Sequence, residues 1–240
     1  MRRRRFLSKW PIIVLALAMA LATTGLAAAA PLPSVFDTSA MPGNEAEDAI
    51  AVNPTNTSNV VTMSTLPDVV SGLAVNVTFN GGRTWARRVI GGTTSDPLGN
   101  ICCDQQLAWD RFGNLWMTYL PNATFHVLVA LSTDGGMSFT KVAEIAPGGD
   151  QPSIAVGANS VWVSYATSPG KQIHAFGAPV TGLGRYGSFT TPEDVPNPGG
   201  NGDYGDTAVG PSGQVMVTYQ KDESGKGGAC GAGGFCPSGR

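Results

Sequence analysis

The chain has 240 residues, and only 13% of them are charged, while 32 are glycine and 17 are proline. Five basic residues lie among the first nine, so residues 31–240 carry a formal net charge of −7 and nucleic acid is excluded as an expected partner. This composition is typical of many short strands joined by tight turns and disfavours a helical fold.

Residues 1–30 have the three parts of a secretory signal peptide. A basic head at residues 2–9 is followed by an apolar run at residues 10–21 and by small residues at 27–30. The apolar run is shorter than the about 20 residues that span a bilayer, so we expect cleavage and no stable membrane anchor. The sequence RRRFL at residues 3–7 resembles the core of a twin-arginine export signal, although an ordinary secretory route stays open. We predict a secreted, periplasmic or cell-surface protein of bacterial-type export.

After a linker at residues 31–43, residues 44–220 contain one hairpin unit four times. Each unit has a first strand around a central alanine and a second, alternating strand after a turn. The central alanines are Ala51, Ala108, Ala155 and Ala208, and they are 57, 47 and 53 residues apart. Because a period near fifty accommodates four strands, the repeat predicts an all-β fold of four-stranded antiparallel propeller blades. The blades should begin near Ile50, Leu107, Ile154 and Thr207.

Two further strands are predicted in the first two repeats, at residues 74–78 with 84–89 and at 127–132 with 138–145. The turns that join them both match S/T-x-D/N-x-G-x-S/T-W/F. The copies contain Asn80, Gly82, Thr84 and Trp85, and Ser132, Asp134, Gly136, Ser138 and Phe139. An Asp or Asn side chain can accept hydrogen bonds from N–H groups of its own turn, and glycine takes the left-handed conformation. A third copy, which ends at Ser188 and Phe189, is degenerate.

This turn motif resembles the Asp-box, or BNR, repeat of sialidase-like β-propellers, including exported bacterial members. The resemblance covers residues 44–220 and implies a glycoside hydrolase family protein that acts on or binds extracytoplasmic glycans. It also implies a structural role for the Asp-box residues, away from the active site.

The catalytic set of a sialidase is not recognisable in the chain. The resemblance implies three arginines that hold a substrate carboxylate, a tyrosine nucleophile activated by a glutamate, and an aspartate acid/base. The arginines after the signal peptide are Arg83, Arg87, Arg88, Arg111, Arg185 and Arg240. Tyr119, Tyr165 and Tyr219 close equivalent second strands, which indicates packing and not nucleophilic chemistry. The catalytic residues therefore stay unassigned, and no cofactor is expected.

Acidic residues recur just before the first strand of every repeat. Our candidate axial-face acids are Asp48, Asp104, Asp150 and Asp206, accompanied by Glu47 and Asp203. Inner strands of a propeller line its central channel, so these side chains can converge on one pocket. In the alternative interpretation they cap turns and keep the loops solvated. The functional alternative to an exo-sialidase-like hydrolase is a non-catalytic propeller that binds carbohydrate or protein through this face.

The four cysteines are Cys102, Cys103, Cys230 and Cys236, and export favours their oxidation. Because bridging adjacent cysteines strains the peptide between them, we expect disulfides from Cys102 or Cys103 to the two cysteines of the tail. A zinc site is disfavoured, since neither His126 nor His174 has ligand spacing from a cysteine pair. No metal is assigned.

Residues 221–240 are rich in glycine and depart from the repeat pattern. Closed propellers have about four to eight blades, and the resembled family usually has six or seven, whereas four hairpins are visible here. We therefore expect an incomplete propeller. A truncated or frame-shifted reading frame, a partner subunit that completes the ring, and a tail clamped by Cys230 and Cys236 are the three explanations. The abrupt change in composition favours truncation.

Overall fold

The computed structural model describes residue 35 and residues 37–67, 72–124, 126–146, 148–167, 172–196 and 202–221. The predicted signal peptide and the glycine-rich residues from 222 onward lie outside the described residues. Among the residues described, no helix is long and apolar enough to cross a membrane. All the strands belong to one compact unit that starts at Asp37.

The described residues form fifteen β-strands in four antiparallel sheets, and none of them is helical. Blade 1 contains β1 (Ala46–Val52), β2 (Val60–Thr65), β3 (Leu73–Thr78) and β4 (Ala86–Ile90). Blade 2 contains β5 (Ile101–Trp109), β6 (Leu115–Pro121), β7 (Val127–Ser132) and β8 (Thr140–Ile145). Blade 3 contains β9 (Gly149–Val156), β10 (Ser160–Thr167), β11 (Ile173–Gly182) and β12 (Arg185–Tyr186), with β13 (Glu193–Asp194) also paired to β11. Blade 4 contains β14 (Gly202–Val209) and β15 (Val215–Lys221).

These sheets confirm the predicted all-β propeller of four-stranded antiparallel blades. Blades 1 and 2 have their strands in sequence order, as the repeat predicts. The fourth strands of these two blades begin two residues later than expected, at Ala86 and Thr140, because Thr84 and Ser138 still belong to the Asp-box turns. Blade 3 has a fifth strand, and in blade 4 only the two inner strands lie within the described part of the chain.

The core lies between the blades. Successive side chains of a strand point to opposite faces of its sheet. In β6, Met117 packs against blade 1 with Val61 and Met63, whereas its neighbour Trp116 packs against blade 3 with Val163. The side chains of Trp116 and Met117 are both fully buried. Blade 2 is therefore apolar on both faces because a neighbouring blade covers each side.

The central alanine occupies the same register position in each of the four blades. Its strand partner on the second strand is Val61, Trp116, Trp162 or Met216 in blades 1 to 4. Val61 and Trp116 are fully buried by the following blade, but Met216 is 63% exposed. At the other end of the repeat array, Ile50 of blade 1 is 69% exposed. Both outer faces of the described array are thus open, as expected for an incomplete propeller.

The candidate acids and the Asp-boxes lie at opposite ends of the blades. In blade 1, Ala46 at the start of β1 pairs with Thr65 at the end of β2. Val60 at the other end of β2 pairs with Thr78, from which the first Asp-box turn departs. We call the end where the first strands begin the acid end and the opposite one the Asp-box end.

Candidate functional site: an acid pair at the junction of the inner strands

The first strands of blades 1, 2 and 3 carry the same backbone irregularity at the acid end. Glu47, Asp104 and Gln151, each four residues before its central alanine, have φ values of 54°, 57° and 50°. The ladder to the second strand shifts register beside each of them. Non-glycine residues occupy this left-handed region at an energetic cost, and such residues are concentrated at functional sites.

The side chains at these bulges connect one blade to the next. Glu47 Oε2 accepts a hydrogen bond of 2.9 Å from the backbone N–H of Asp104. Asp104 Oδ2 in turn accepts one of 3.0 Å from the N–H of Gln151. An acidic side chain on one bulge thus binds the backbone of the equivalent bulge on the following blade. As a result, the Glu47 and Asp104 carboxyl groups lie side by side.

A buried polar layer supports this pair. Thr65 Oγ1, at the end of β2, lies 3.0 Å from Glu47 Oε2 and 2.8 Å from Gln105 Oε1. The Gln105 side chain is 1% exposed, and its Nε2 donates to the backbone carbonyl of Glu47. The position of the Glu47 carboxylate is therefore determined by contacts with both blades.

The environment keeps Asp104 protonated to unusually high pH. Partial burial raises the pKa of its carboxyl group, and repulsion from Glu47 raises it further, to about 7. The hydrogen bond from Gln151 N–H lowers the pKa of Asp104, but it is outweighed. Asp150 adds a smaller repulsive contribution. The acid end thus holds a carboxylic acid that can donate a proton near neutral pH.

A pocket of about 430 Å³ opens beside Glu47 of the pair. It is lined by Ala46, Glu47, Thr65, Leu66, Pro67, Cys102, Cys103 and Asn122. Its wall combines apolar side chains and sulfur with one carboxylate, one hydroxyl and one amide. Small-molecule sites have volumes of about 300–1,000 Å³ and combine these types of lining groups.

The cysteine pairing differs from our expectation. Cys102 and Cys103 are bonded to each other, with their Cα atoms 3.7 Å apart, and are not joined to the tail cysteines. A regular strand would point neighbouring side chains to opposite faces. Here the β5 ladder shifts register between Ile101 and Cys103 and again before Gln106, which lets both sulfurs meet. Cys230 and Cys236 lie outside the described residues.

The structure brings together only part of the predicted acid set. Asp150 approaches Asp104, and its Oδ1 lies 3.1 Å from Gln151 N. Asp48 is exposed on β1, and Asp206 Oδ1 instead accepts from Ser153 Oγ at 2.7 Å across the junction of blades 3 and 4. The central acid is therefore Asp104, and its partner is Glu47, which precedes the predicted Asp48.

The arrangement does not define a metal centre among the residues described. Oxygen atoms of Glu47 and Asp104 lie within 4.8 Å of each other and of Cys103 Sγ. That sulfur belongs to the disulfide, so it cannot act as a thiolate ligand. Two carboxyl groups remain, one of which retains its proton up to a pH of about 7, and we assign no metal to them.

The Asp-box turns satisfy their own polar groups. Asp134 Oδ1 accepts hydrogen bonds from Ser132 Oγ at 2.8 Å and from the N–H groups of Met137 and Ser138, each at 2.9 Å. Partial burial raises the pKa of Asp134, but the hydrogen bonds, first those from Ser138, outweigh it and lower the pKa overall. In blade 1, Asn80 Oδ1 accepts from the N–H of Thr84 at 3.0 Å. These contacts favour a local, structural role.

Sequence reasoning missed two asparagines that connect the blades at the Asp-box end. Asn59 Nδ2 donates to the carbonyl of Gly135 in the next blade at 3.0 Å. Asn114, one repeat later, donates to the carbonyl of Gly182 at 3.0 Å and accepts from the N–H of Gly184 at 2.7 Å. Each asparagine directly precedes the second strand of its blade. That shared position in two repeats was the available signal.

The tyrosines pack as expected. Tyr119 is fully buried, and its hydroxyl donates to the carbonyl of Leu98 at 3.0 Å. Burial raises the pKa of Tyr119 strongly, and it raises that of Tyr165 to about 12. The Tyr165 ring stacks on His174, and the Tyr219 hydroxyl donates to the carbonyl of Pro196. A hydroxyl with a raised pKa is a poor nucleophile near neutral pH.

The described arginines do not converge on the pocket. Arg88 Nη2 donates to the carbonyl of Gly136, and Arg111 Nε donates to that of Ala158, both at the Asp-box end. Arg83 lies in an Asp-box turn, and Arg185 follows the β11–β12 turn. Among the residues described, none of these guanidinium groups lines the pocket beside Glu47.

Comparison with known proteins places the fold. No known family profile matches the sequence, and no curated protein matches it. Several solved structures share its architecture. The GH93 α-L-arabinofuranosidase of Fusarium graminearum superposes with a TM-score of 0.51 at 13% identity, over 73% of this chain and 56% of that one.

Two further structures are comparably similar. The NanB sialidase of Streptococcus pneumoniae has a TM-score of 0.51 at 16% identity, over 72% of this chain and 27% of that one. A protein of unknown function from Dyadobacter fermentans has a TM-score of 0.54 at 13% identity, over 78% of this chain and 60% of that one. The fold is therefore a β-propeller of the type found in several glycoside hydrolases. The chain spans about half the length of the arabinofuranosidase.

Proposed function

We propose that this chain is an exported, glycan-active propeller protein that hydrolyses a glycosidic bond at the Glu47–Asp104 pair. The observation that carries the proposal is the pairing of Glu47, which lines a pocket, with Asp104, a second carboxyl group that stays protonated up to about pH 7. Glycosidases generally use one carboxylic acid to protonate the leaving oxygen and one carboxylate on the other side of the reacting carbon.

In the proposed reaction, Asp104 gives its proton to the glycosidic oxygen as the bond from that oxygen to the anomeric carbon breaks. Glu47 forms a bond to the anomeric carbon, and water then releases the sugar while its proton returns to Asp104. The nearest oxygens of the two groups lie within 4.8 Å. Carboxyl groups about 5–5.5 Å apart are typical of retaining enzymes, whereas inverting enzymes need about 6.5–9.5 Å. The two carboxyl groups are in hydrogen-bond contact, which is too close for the water molecule that inversion requires between them.

The lining of the pocket favours a neutral sugar over a sialic acid. Binding of a sugar carboxylate calls for arginines, which form paired hydrogen bonds with both of its oxygens. The described part of the pocket wall contains no arginine and one carboxylate, Glu47. A second carboxylate, on the substrate, would be repelled there. Export rests on the signal-peptide pattern of residues 1–30, and it places the proposed activity outside the cytoplasm.

One observation favours a second candidate, a propeller that binds glycan at its axial face without cleaving it. Glu47 and Asp104 both accept hydrogen bonds from backbone N–H groups of the following blade. Those contacts give the acid pair a role in holding the bulges even without chemistry. In this case the pocket would bind a sugar and the pair would only maintain its shape.

A panel of 4-methylumbelliferyl glycosides distinguishes these functions. It should contain neutral furanosides and pyranosides, including the α-L-arabinofuranoside, together with the α-sialoside. Release of the fluorophore from a neutral glycoside is the expected result. Calorimetric binding of a methyl glycoside without any release supports the non-catalytic candidate. Protein that is folded by circular dichroism but neither binds nor cleaves any member contradicts both.

A further inference from the structure

We propose that the ring closed by the Cys102–Cys103 disulfide, together with Leu66 and Pro67, is the apolar platform of a sugar-binding subsite. Glu47 and Asn122 would bind hydroxyl groups at its edge. This inference rests on the proposed glycan function, and it assigns a particular surface and binding mode to it.

The disulfide lies at the boundary between the core and the pocket. Both cysteines are partly exposed and line the pocket. Cys103 also packs against the core cluster between blades 2 and 3. One side of the ring is thus supported by packed side chains, and the other faces the open volume. A rigid, supported surface is suited to packing against a flat ligand.

The Cys102–Cys103 disulfide contributes little to the stability of the fold as a cross-link. A disulfide stabilises a protein mainly by restricting the unfolded chain, and the effect grows with the length of the loop that it closes. Cys102 and Cys103 are adjacent in sequence, so the loop is the smallest that a disulfide can close. Its stabilising effect through chain entropy is therefore minimal, and its local surface is the more informative property.

The chemistry of that surface fits a sugar ring. A sugar presents C–H groups on one face and hydroxyls around its edge. Sulfur is polarisable and makes favourable dispersion contacts with apolar groups. Leu66 and Pro67 continue the apolar wall, and Glu47 and Asn122 add an acceptor and an amide that both donates and accepts. A volume of about 430 Å³ accommodates a ligand of sugar size.

Protection of the disulfide from reduction tests this arrangement directly. Dithiothreitol reduces the bond by passing two electrons and two protons to the two sulfurs while its own two thiols close to a disulfide. A sugar packed on the ring blocks the attacking thiolate. The full chain is incubated with dithiothreitol, with and without each methyl glycoside of the panel, and alkylation of Cys102 and Cys103 is followed by peptide mass spectrometry. Calorimetry on the same samples measures the Kd.

At a methyl glycoside concentration of ten times its Kd, only the free fraction of the protein can react, so reduction should slow about elevenfold. Binding with an unchanged reduction rate would overturn the platform but leave the proposed glycan function standing. If no member of the panel binds folded protein, the inference and the proposed function both fail.

A variant gives a second readout. In Cys102→Ser combined with Cys103→Ser, the ring is lost, and affinity for the same methyl glycoside should fall about tenfold or more. Met137→Ala, in an exposed turn at the Asp-box end, is the matched control and should keep wild-type affinity. Circular dichroism confirms folding of both. Wild-type affinity in a folded double-serine variant contradicts the platform.

Discussion

Glu47 Oε2 lies 2.9 Å from the backbone nitrogen of Asp104, whose N–H it accepts across the junction of blades 1 and 2. The same relationship recurs one blade later, where Asp104 Oδ2 accepts from Gln151 N–H. Of these residues, Glu47 both holds the inner strands together and lines the pocket. Stability and the proposed chemistry are coupled at this point, and each can be measured separately.

The pH dependence of stability should report the raised pKa of Asp104. In the unfolded chain this acid ionises near its ordinary pKa of 3.8, whereas in the folded protein it holds its proton to about pH 7. Between these values the unfolded state has released a proton that the folded state keeps, so this group destabilises the fold progressively as pH rises. Asp104→Asn imitates the protonated acid and lacks this slope. As the pH rises from 5 to 8, the free energy of unfolding of this variant should increase by about 1–2 kcal/mol relative to that of wild type, with solvent screening included.

Urea unfolding at pH 5, 6, 7 and 8 measures this difference. Asp48→Asn, which changes an exposed acid on the same strand as Glu47, is the control and should follow wild type. Parallel stability curves for Asp104→Asn and wild type would show that Asp104 ionises normally.

The Asp-box turn of blade 2 should contribute to stability and not to binding. Asp134→Ala leaves the N–H groups of Met137 and Ser138 without their acceptor, which should lower the free energy of unfolding by about 1–3 kcal/mol. Glycan affinity of the folded fraction should not change, because the turn lies at the end opposite the pocket. Weaker binding with an unchanged melting temperature would assign Asp134 to the site instead.

The inter-blade contact of Asn114 should contribute more to the free energy of unfolding than the Asp-box turn does. This side chain is fully buried and contacts Asp110, Gly182 and Gly184. Asn114→Ala should therefore lower the free energy of unfolding by about 2–3 kcal/mol, since it removes a partner of the buried Asp110 carboxylate and of two part-buried backbone groups of blade 3. Gln106→Ala, on an exposed position of β5, is the control and should stay within about 0.5 kcal/mol of wild type. Equal unfolding free energies for the two variants would mean that this contact contributes nothing.

The open blade faces should promote self-association. Met216 occupies the register position at which Val61 and Trp116 are buried by the next blade, yet it is 63% exposed. Exposed apolar faces and strand edges favour pairing with other chains. Sedimentation of residues 31–240 should show a mass that rises with concentration. Met216→Lys should reduce this rise, whereas Met137→Lys at an exposed turn should not. A monodisperse monomer at every concentration would contradict this expectation.

The repeat architecture was predictable because it depends on local patterns that recur. The four central alanines have strand partners at matching register positions, as their spacing indicated. The turns at Asn80 and Asp134 were also predictable, since an Asp-box is stabilised within its own few residues.

The pocket was harder to predict because its parts come from different blades. Acids before each first strand were a visible signal, but the pairing of Glu47 with Asp104 depends on bulges that bring two blades together. The Cys102–Cys103 bond was predicted wrongly because strain in the peptide between adjacent cysteines was expected to prevent it, whereas β5 shifts register there and the two sulfurs meet. Asn114 was missed because its partners in blade 3 lie about seventy residues away in the sequence.

The dependence of turnover on pH, compared between wild type and two variants, tests the central claim most directly. The substrate is the neutral 4-methylumbelliferyl glycoside that wild type cleaves fastest. Because Asp104 must donate a proton, kcat/KM of wild type should fall as pH rises through about 7. Asp104→Asn and Glu47→Gln, both folded by circular dichroism, should each lose at least about a hundredfold in kcat/KM. Wild-type kcat/KM in either folded variant, or a rate that does not decline above pH 7, would contradict hydrolysis at the Glu47–Asp104 pair.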